Sequence, residues 1–231
     1  MRFLLRWIWR IILMALITLT ALQFWFLIHV WHWNSHNPES TAFMRARLQI
    51  LQEDDPRARL RHQWVPYQRI SIHLKRAVVA AEDAKFATHN GFDWDGIQKA
   101  YEKNLREGEI VAGGSTITQQ LAKNLFFSGE RAWWRKAQEA VVAVMLETVM
   151  NKRRILEIYL NVIEWGDGVF GAEAAARHHY GTTAAALSPE QAARLAAVVP
   201  SPRRYGPDSN TAYLQRRTQT ILMRMNGAQL P

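Results

Sequence analysis

The sequence predicts a mostly α-helical protein, with one membrane-spanning helix at the N-terminus and a single helical domain after it. Residues 11–31 form a long apolar run without a charged side chain. The rest of the chain places apolar residues at helical spacing and shows almost no alternating strand pattern. Signals for helix starts and stops recur along it. A chain of 231 residues is long enough for one such domain and an anchor.

The first element is the apolar run, which at 1.5 Å per residue spans about 31 Å, the thickness of a bilayer core. Arg2, Arg6 and Arg10 precede it, and tryptophans flank both ends. A cleaved signal peptide is the alternative, but the run is too long and no clear cleavage site follows. The arginines predict a cytoplasmic N-terminus and an external domain. In a bacterium with two membranes, that arrangement means an anchor in the inner membrane and a periplasmic domain. We expect residues 1–10 inside, 11–33 spanning, 34–62 as a linker and membrane-proximal segment, and 63–231 as the domain.

The later elements follow from capping residues and apolar periodicity. We expect a long helix over 130–150, central because residues 140–146 are apolar, and a last helix from about Thr211 to Met225. The helix that Asp93 caps carries Trp94, Ile97, Tyr101 and Leu105 on one face and ends at Gly108. Three further helix starts are predicted at capping side chains, namely Ser71, Asn151 and Ser188.

Charge and composition narrow the classes of partner. The formal net charge is +9, and a basic domain beside a membrane attracts anionic lipids and anionic lipid-linked substrates. Nucleic acid is the usual competing partner for basic charge, and the anchor argues against it. The chain has no cysteine, which excludes disulfides and thiol catalysis.

Three segments carry residues suited to chemistry. Glu82 and Asp83 end an apolar helical run, and a carboxylate held against apolar surface can act as a base near neutral pH, although an isolated glutamate at a helix end is usually solvated. Gly113 to Thr116 form a turn before a helix, where backbone N–H groups can hold a phosphate, or the turn is simply a capped one. Arg135 and Glu139 are four residues apart, a spacing that predicts an ion pair on one helix face. The pair is either a weak one at the surface or an enclosed one that matters more.

Five segments between about Gln63 and Pro207 together resemble the ordered motifs of the peptidoglycan glycosyltransferases, glycosyltransferase family 51. They are AEDAKFATHNGFD from Ala81, GGSTITQQLAKN from Gly113, RKAQE from Arg135, KRRILEIYLN from Lys152 and GAEAAARHHYG from Gly171. The fifth departs from the family pattern His-Tyr-Phe-Gly-Lys, because the chain has His179-Tyr180-Gly181-Thr182. The motifs Ser-x-x-Lys and Lys-Thr-Gly of the penicillin-binding transpeptidases are absent, so the monofunctional form is expected.

The resemblance implies a lysozyme-like helical fold and polymerisation of lipid II into β-1,4-linked glycan by an inverting mechanism, with release of undecaprenyl diphosphate. It implies that Glu82 is the catalytic base and Glu139 the second essential carboxylate. Lys123, Arg131, Arg135 and Lys136 would form a cationic cradle for the donor diphosphate. Other substrate-binding residues would be Gly114, Ser115, Thr116, Gln119 and Gln120, and supporting residues would be Asp83, Phe86, His89, Gly91 and Asn161.

The implied partners are lipid II, the growing lipid-linked glycan and the bilayer, with division or other cell-wall synthesis proteins as candidates. No cofactor is required by the sequence, and a divalent cation, Mg²⁺ or Mn²⁺, bound with the diphosphate stays open. Two rival functions stay open. One is a lytic enzyme that cuts glycan, which needs a general acid and no diphosphate cradle. The other is a non-catalytic anchored scaffold that binds lipid-linked precursors or division proteins.

Overall fold

The structure, a computed structural model, describes residues 2–109, 113–128 and 133–231. The described residues are mostly helical. The helices are α1 (Arg2–Ser35), α2 (Ala42–Asp54), α3 (Ile72–Glu82), α4 (Trp94–Glu107), α5 (Ile117–Phe126), α6 (Trp133–Val149), α7 (Lys152–Val162), α8 (Ala172–Tyr180), α9 (Pro189–Val198) and α10 (Ala212–Met225).

The predicted capping residues start the helices as expected, because the signal is local. Ser71, Asp93 and Asn151 each accept a backbone N–H from the first turn of α3, α4 and α7. Ser188 and Gln191 form a reciprocal capping box at α9, and Gly108 ends α4 with a left-handed backbone. The last predicted helix is α10, capped by Thr211.

The anchor helix α1 continues past the apolar run to Ser35, and its two halves differ. The first half is exposed throughout its described side chains, as a lipid-facing helix would be, and α1 is long and apolar enough to cross a membrane. The second half packs on the domain, where Phe26 and Val30 are buried. The segment expected as a linker holds α2, which packs on α5 and buries Met44.

The structure contains a small three-stranded sheet that was not predicted from the sequence. Strand β1 (Arg61–His62) pairs in parallel with β3 (Val169–Phe170), and β3 pairs antiparallel with β2 (Glu164–Gly166), giving the order β1-β3-β2. Strands of two or three residues are too short to show an alternating pattern, and β2 and β3 are buried on every residue. The sheet joins the segment before α3 to the residues after α7.

Helices α5 and α7 are the most enclosed helices at the site, each with seven buried residues, and those of α7 lie between Ile155 and Val162. Helix α6 was expected to be central, and that expectation was wrong for one face: Val141 and Val144 are 41% and 51% exposed. Helices α5, α6 and α7 pack together on one side, and α3, α9 and α10 pack on the other. The ends of α3 and α5 meet between these two groups.

Candidate active site

A cleft of about 230 Å³ lies where the first two sequence motifs meet. The end of α3 contributes Glu82 and Asp83, and the loop before α5 contributes residues 113–116. Asp93 and Gly96, at the start of α4, line it as well. Two segments that are 30 residues apart in sequence therefore share one polar cavity.

Glu82 is the last residue of α3, and its side chain is only 9% exposed. Its two carboxylate oxygens accept hydrogen bonds from different elements. Gln120 Nε2 donates to Oε2 at 2.9 Å, and Arg217 Nη2 donates to Oε1 at 3.0 Å. Burial raises the pKa of Glu82 above its usual value, although Gln120 and Arg217 both oppose the rise. Such a carboxylate can take a proton near neutral pH.

Gln120 is held in place from its other end. Tyr159 on α7 donates its hydroxyl hydrogen to Gln120 Oε1 at 2.8 Å, which leaves the Gln120 amide N–H directed at Glu82. Burial, together with the nearby Glu82 and Asp83 carboxylates, raises the pKa of Tyr159 well above its usual value. The phenol therefore stays protonated and keeps its role as a donor.

Asp83 has a different environment from Glu82. It is buried, and His89 Nε2 lies 2.9 and 3.0 Å from its two oxygens. The backbone N–H of Ile117, the first residue of α5, donates to Asp83 Oδ2 at 3.0 Å. Burial raises the pKa of Asp83, while these partners lower it. Asp83 thus joins the end of α3 to the start of α5, and His89 holds its carboxylate in place.

The loop before α5 is shaped by close contacts. A Cβ atom on Gly114 would lie 2.9 Å from Ile97 Cα on α4, so the backbone approach requires glycine. Thr116 donates its hydroxyl to the carbonyl of Gly91, a residue with a φ of 87°, at 2.6 Å. Thr116 and Gln119 form a buried capping box at α5. The side chains of Thr116 and Gln119 therefore bind the protein itself and position the loop.

Glu139 is buried on α6 between two cations. Arg135 Nε lies 3.1 Å from Oε1, and Lys136 Nζ lies 3.1 Å from Oε2. Lys136 also donates to Ser115 Oγ at 2.9 Å, and its side chain is 53% exposed. Because Ser115 lines the cleft of Glu82, the third motif meets the second at this edge. The arrangement offers an accessible ammonium beside the cleft.

The residues around Glu139 do not fit a divalent cation. Each carboxylate oxygen already has a cation within 3.1 Å, and a metal would have to displace one of them. Among residues 2–109, 113–128 and 133–231, three or more histidine or acidic side chains are nowhere grouped closely enough to hold a metal ion.

Lys123 is not among the residues that line the cleft of Glu82. It lines a second cavity of about 290 Å³ together with Arg203 and Glu164, and its ammonium lies 5.9 Å from the ring of Phe43. Gln120 lines this second cavity and also bonds Glu82, so the two cavities adjoin at Gln120. The predicted four-residue cradle is thus divided between two places, and Arg131 lies outside the described residues.

Of the supporting residues, Asp83 lines the cleft, whereas Phe86 and Asn161 are not among the residues that line it. Phe86 is fully buried, with Lys152 Nζ 4.6 Å from its ring centre. Asn161 is fully buried and bonds both the N–H and the carbonyl of Val65, at 2.8 and 2.9 Å. In the fifth motif, Gly181 ends α8 with a left-handed backbone, and this is where the chain departs from the family pattern.

Arg217 is the main residue of the site that the sequence analysis missed. It lies on α10, 135 residues after Glu82 and beyond the last motif. In sequence it is one arginine of an adjacent pair on an amphipathic helix, which is typical of a solvated helix face. The signal that identifies it is spatial: α10 packs against α3 and delivers the guanidinium to the carboxylate.

Comparisons with known proteins identify the family of the chain. The family model described as "Transglycosylase" matches residues 49–226. A protein of Methylobacillus flagellatus named biosynthetic peptidoglycan transglycosylase is 63% identical over 96% of this chain and 97% of its own length. Proteins with the same name from Nitrosospira multiformis and Dechloromonas aromatica are 60% and 56% identical, covering 98% and 100% of both chains.

Proposed function

The chain belongs to the transglycosylase family of peptidoglycan glycosyltransferases, and from this premise we propose that Glu82 is the general base with which it polymerises lipid II. It is a monofunctional enzyme of family 51, and its substrates are lipid II and the growing glycan chain. The observation that carries the proposal is the position of Glu82: a largely buried carboxylate at the rim of a polar cleft, held by one neutral and one cationic donor.

Glu82 takes the proton of the acceptor sugar's 4-hydroxyl as that oxygen attacks the anomeric carbon of the donor. The bond from the anomeric carbon to the diphosphate oxygen breaks, and a β-1,4 linkage forms with inversion. Burial raises the affinity of Glu82 for a proton, and Arg217 and Gln120 stabilise the charged form that must exist before the reaction. The balance of these effects suits a base that works near neutral pH.

The departing diphosphate needs positive charge. Lys136 is accessible at the edge of the cleft, and Arg135 shares Glu139 with it, so we assign these two cations to the donor diphosphate. Glu139 then positions both cations instead of binding a metal. Lys123 and Arg203 line the adjoining cavity. Because the acceptor is lipid-linked too, we assign that cavity to the acceptor side.

A lytic function is the rival within the enzyme class. Cleavage requires a general acid at the scissile oxygen. The guanidinium of Arg217 opposes that role for Glu82, because it favours the carboxylate and reduces the rise in pKa that burial causes. A scaffold without catalysis would not need the paired donors that hold Glu82 at the cleft.

The apolar first half of α1 is compatible with a single-pass anchor. We propose that it crosses the inner membrane with its arginine-rich end in the cytoplasm, which places the cleft in the periplasm beside the lipid-linked substrates. Recruitment by division or other cell-wall synthesis proteins is a further proposal, consistent with an enzyme that has no transpeptidase motifs of its own.

The first test compares the full chain in detergent with its Glu82→Gln variant, each supplied with labelled lipid II. Wild type is expected to produce polymer that lysozyme digests, and Glu82→Gln is expected to lose more than about a hundredfold in rate, as removal of a general base does. Binding of lipid II and the melting temperature serve as controls for folding. Polymer at the wild-type rate from the variant would remove Glu82 as the base.

A further inference from the structure

Gln23 is a polar residue inside the apolar run of α1, and it has a specific partner. Its Nε2 donates to Gln138 Oε1 on α6 at 2.9 Å, across 115 residues of sequence. Thr18, another polar residue of the run, instead donates to the carbonyl of Met14 within its own helix and is exposed. A polar side chain in a membrane helix carries a solvation cost unless it is bonded, and it then commonly faces a protein partner.

The contact with Gln138 begins a continuous docking stripe on α1. Phe26 is 3% exposed, with its ring centre 4.9 Å from that of Phe126 and 5.6 Å from that of Phe127. Val30 is fully buried, and Arg154 donates to the carbonyl of Trp33. These positions, spaced by three or four residues, lie on one face of α1. From Gln23 onward the anchor is therefore part of the domain.

Helix α6 turns two different faces to its surroundings. Gln138 lies within the segment that carries Arg135, Lys136 and Glu139; Lys136 bonds Ser115 at the cleft, and Arg135 shares Glu139 with Lys136. The outward face is apolar instead of charged, and its exposed members recur at helical spacing: Trp134, Ala137, Val141 and Val144. An outward apolar face next to a membrane anchor fits lipid better than water. The bond between Gln23 and Gln138 then lies at lipid depth, where a lost partner is not replaced by water.

We propose that Gln23 is a positioning residue of the enzyme: through Gln138 the anchor holds the first turns of α6 so that Arg135 and Lys136 face the donor diphosphate. This inference rests on the proposed function, because it assigns the anchor a part in substrate binding beyond attachment. The anchor sets the position of a catalytic helix as well as the distance of the domain from the bilayer.

A double-mutant cycle in lipid nanodiscs tests the proposal. Gln23→Leu leaves the Gln138 amide unpaired, so kcat/KM for labelled lipid II is expected to fall about threefold to twentyfold, the range of measured interhelical hydrogen bonds in membranes expressed as a ratio. The fall is expected through a higher KM, since loss of folded enzyme would lower only the apparent kcat. The double variant Gln23→Leu with Gln138→Leu packs two apolar side chains and is expected to recover to within about twofold.

Thr18→Val is the matched control on the same helix and is expected to leave kcat/KM unchanged. Unchanged kcat/KM in Gln23→Leu, or a double variant no better than the worse single variant, would overturn the proposal.

Chemical cross-linking tests the same contact without activity. Because the chain has no cysteine, Gln23→Cys with Gln138→Cys gives a unique pair for a short thiol-specific cross-linker. Cross-linking of this pair in nanodiscs, and none for Thr18→Cys with Gln138→Cys, is expected. Failure of the first pair to cross-link would overturn the docking itself. If wild type made no polymer while this pair still cross-linked, the proposed function would fail and the docking would stand.

Discussion

At the residue scale, the site is governed by two neighbouring acids that face different partners. Glu82 turns to the cleft and receives one donor from α5 and one from α10. Asp83 turns inward and holds His89 and the start of α5. Both line the cleft and have raised pKa values because of burial, but the Asp83 side chain is 2% exposed and that of Glu82 is 9% exposed, so Glu82 is the more accessible of the two. These different surroundings support the proposal that Glu82 is the base and Asp83 a positioning residue.

Removing the cation from Glu82 is expected to move the pH dependence of the reaction. Arg217 lowers the pKa of Glu82, so Arg217→Gln should raise that pKa further. The base is active when deprotonated, and the acid limb of kcat/KM against pH should therefore shift to higher pH, with reduced activity at pH 7 and recovery as pH rises. Rates of lipid II polymerisation between pH 5 and 9 measure the shift.

Arg216→Gln is the control for the Arg217 variant, because Arg216 is the exposed neighbour on the same helix. Its acid limb is expected to coincide with that of wild type. An acid limb in Arg217→Gln that stays in place, or moves to lower pH, would contradict the assignment of Glu82 as the base that Arg217 stabilises.

At the element scale, the loop of residues 113–116 joins three helices. It contacts α4 at Ile97, continues into α5, and meets α6 through the bond from Lys136 to Ser115. Its shape is held by Thr116, which bonds Gly91 and caps α5. The position of the accessible ammonium therefore depends on how closely this loop approaches α4.

Gly114→Ala is expected to open that approach. The added methyl would lie 2.9 Å from a backbone atom of α4, which cannot move as a flexible side chain can. We expect a loss of about 1–3 kcal/mol in stability from overpacking and a fall in kcat/KM, because Ser115 moves away from Lys136. Thermal unfolding in detergent and lipid II kinetics measure the two effects.

Gly113→Ala is a matched control, since a Cβ atom there would meet no atom within 4 Å. It is expected to stay near wild type in both measurements. Equal behaviour of the two variants would show that flexibility of the loop, and not its distance from α4, is what the glycine pair provides.

The helices were predictable from sequence because their start signals are local. Asn151 and Ser188 needed only the next three residues to act as caps. The pairing of β1 with β3 joins residues more than a hundred positions apart through two-residue strands, which no periodicity can reveal. Arg217 was missed because its contact with Glu82 likewise joins residues that are far apart in the sequence. The apolar face of α4 was predicted, but its exposure was not, because a pattern identifies a face and not what covers it.

At the scale of the whole molecule, the anchor and the catalytic domain form one packed unit. Aromatic side chains in the second half of α1 pack on Phe126, and Arg154 of α7 donates to the carbonyl of Trp33 near the end of α1. Helix α7 also carries Tyr159, which orients Gln120 towards Glu82. The same helix therefore contacts both the end of the anchor and the network of the base, so the cleft has a defined place relative to the membrane.

Arg154 is expected to be a principal stabilising contact between these two parts. Its guanidinium donates to the carbonyls of Trp33 and His36, at the end of α1, and it pairs with Glu157 at 2.9 Å. Arg154→Gln leaves those carbonyls without their donor, and we expect a loss of at least about 2 kcal/mol, since bonds to a charged donor contribute about 1.5–3 kcal/mol each. In a chain of this size that corresponds to a melting temperature lower by about 4–8 °C.

Hydrogen–deuterium exchange locates the effect of Arg154→Gln. The amides of residues 33–40 are expected to exchange faster in the variant. The amides of α9, which packs on α3, should exchange as in wild type. Arg153→Gln is the control, because that side chain is exposed and its guanidinium contacts the ring of Tyr67. If residues 33–40 exchanged equally in Arg154→Gln and wild type, Arg154 would have no part in joining α1 to the domain, and the aromatic contacts and the Gln23–Gln138 bond would hold it.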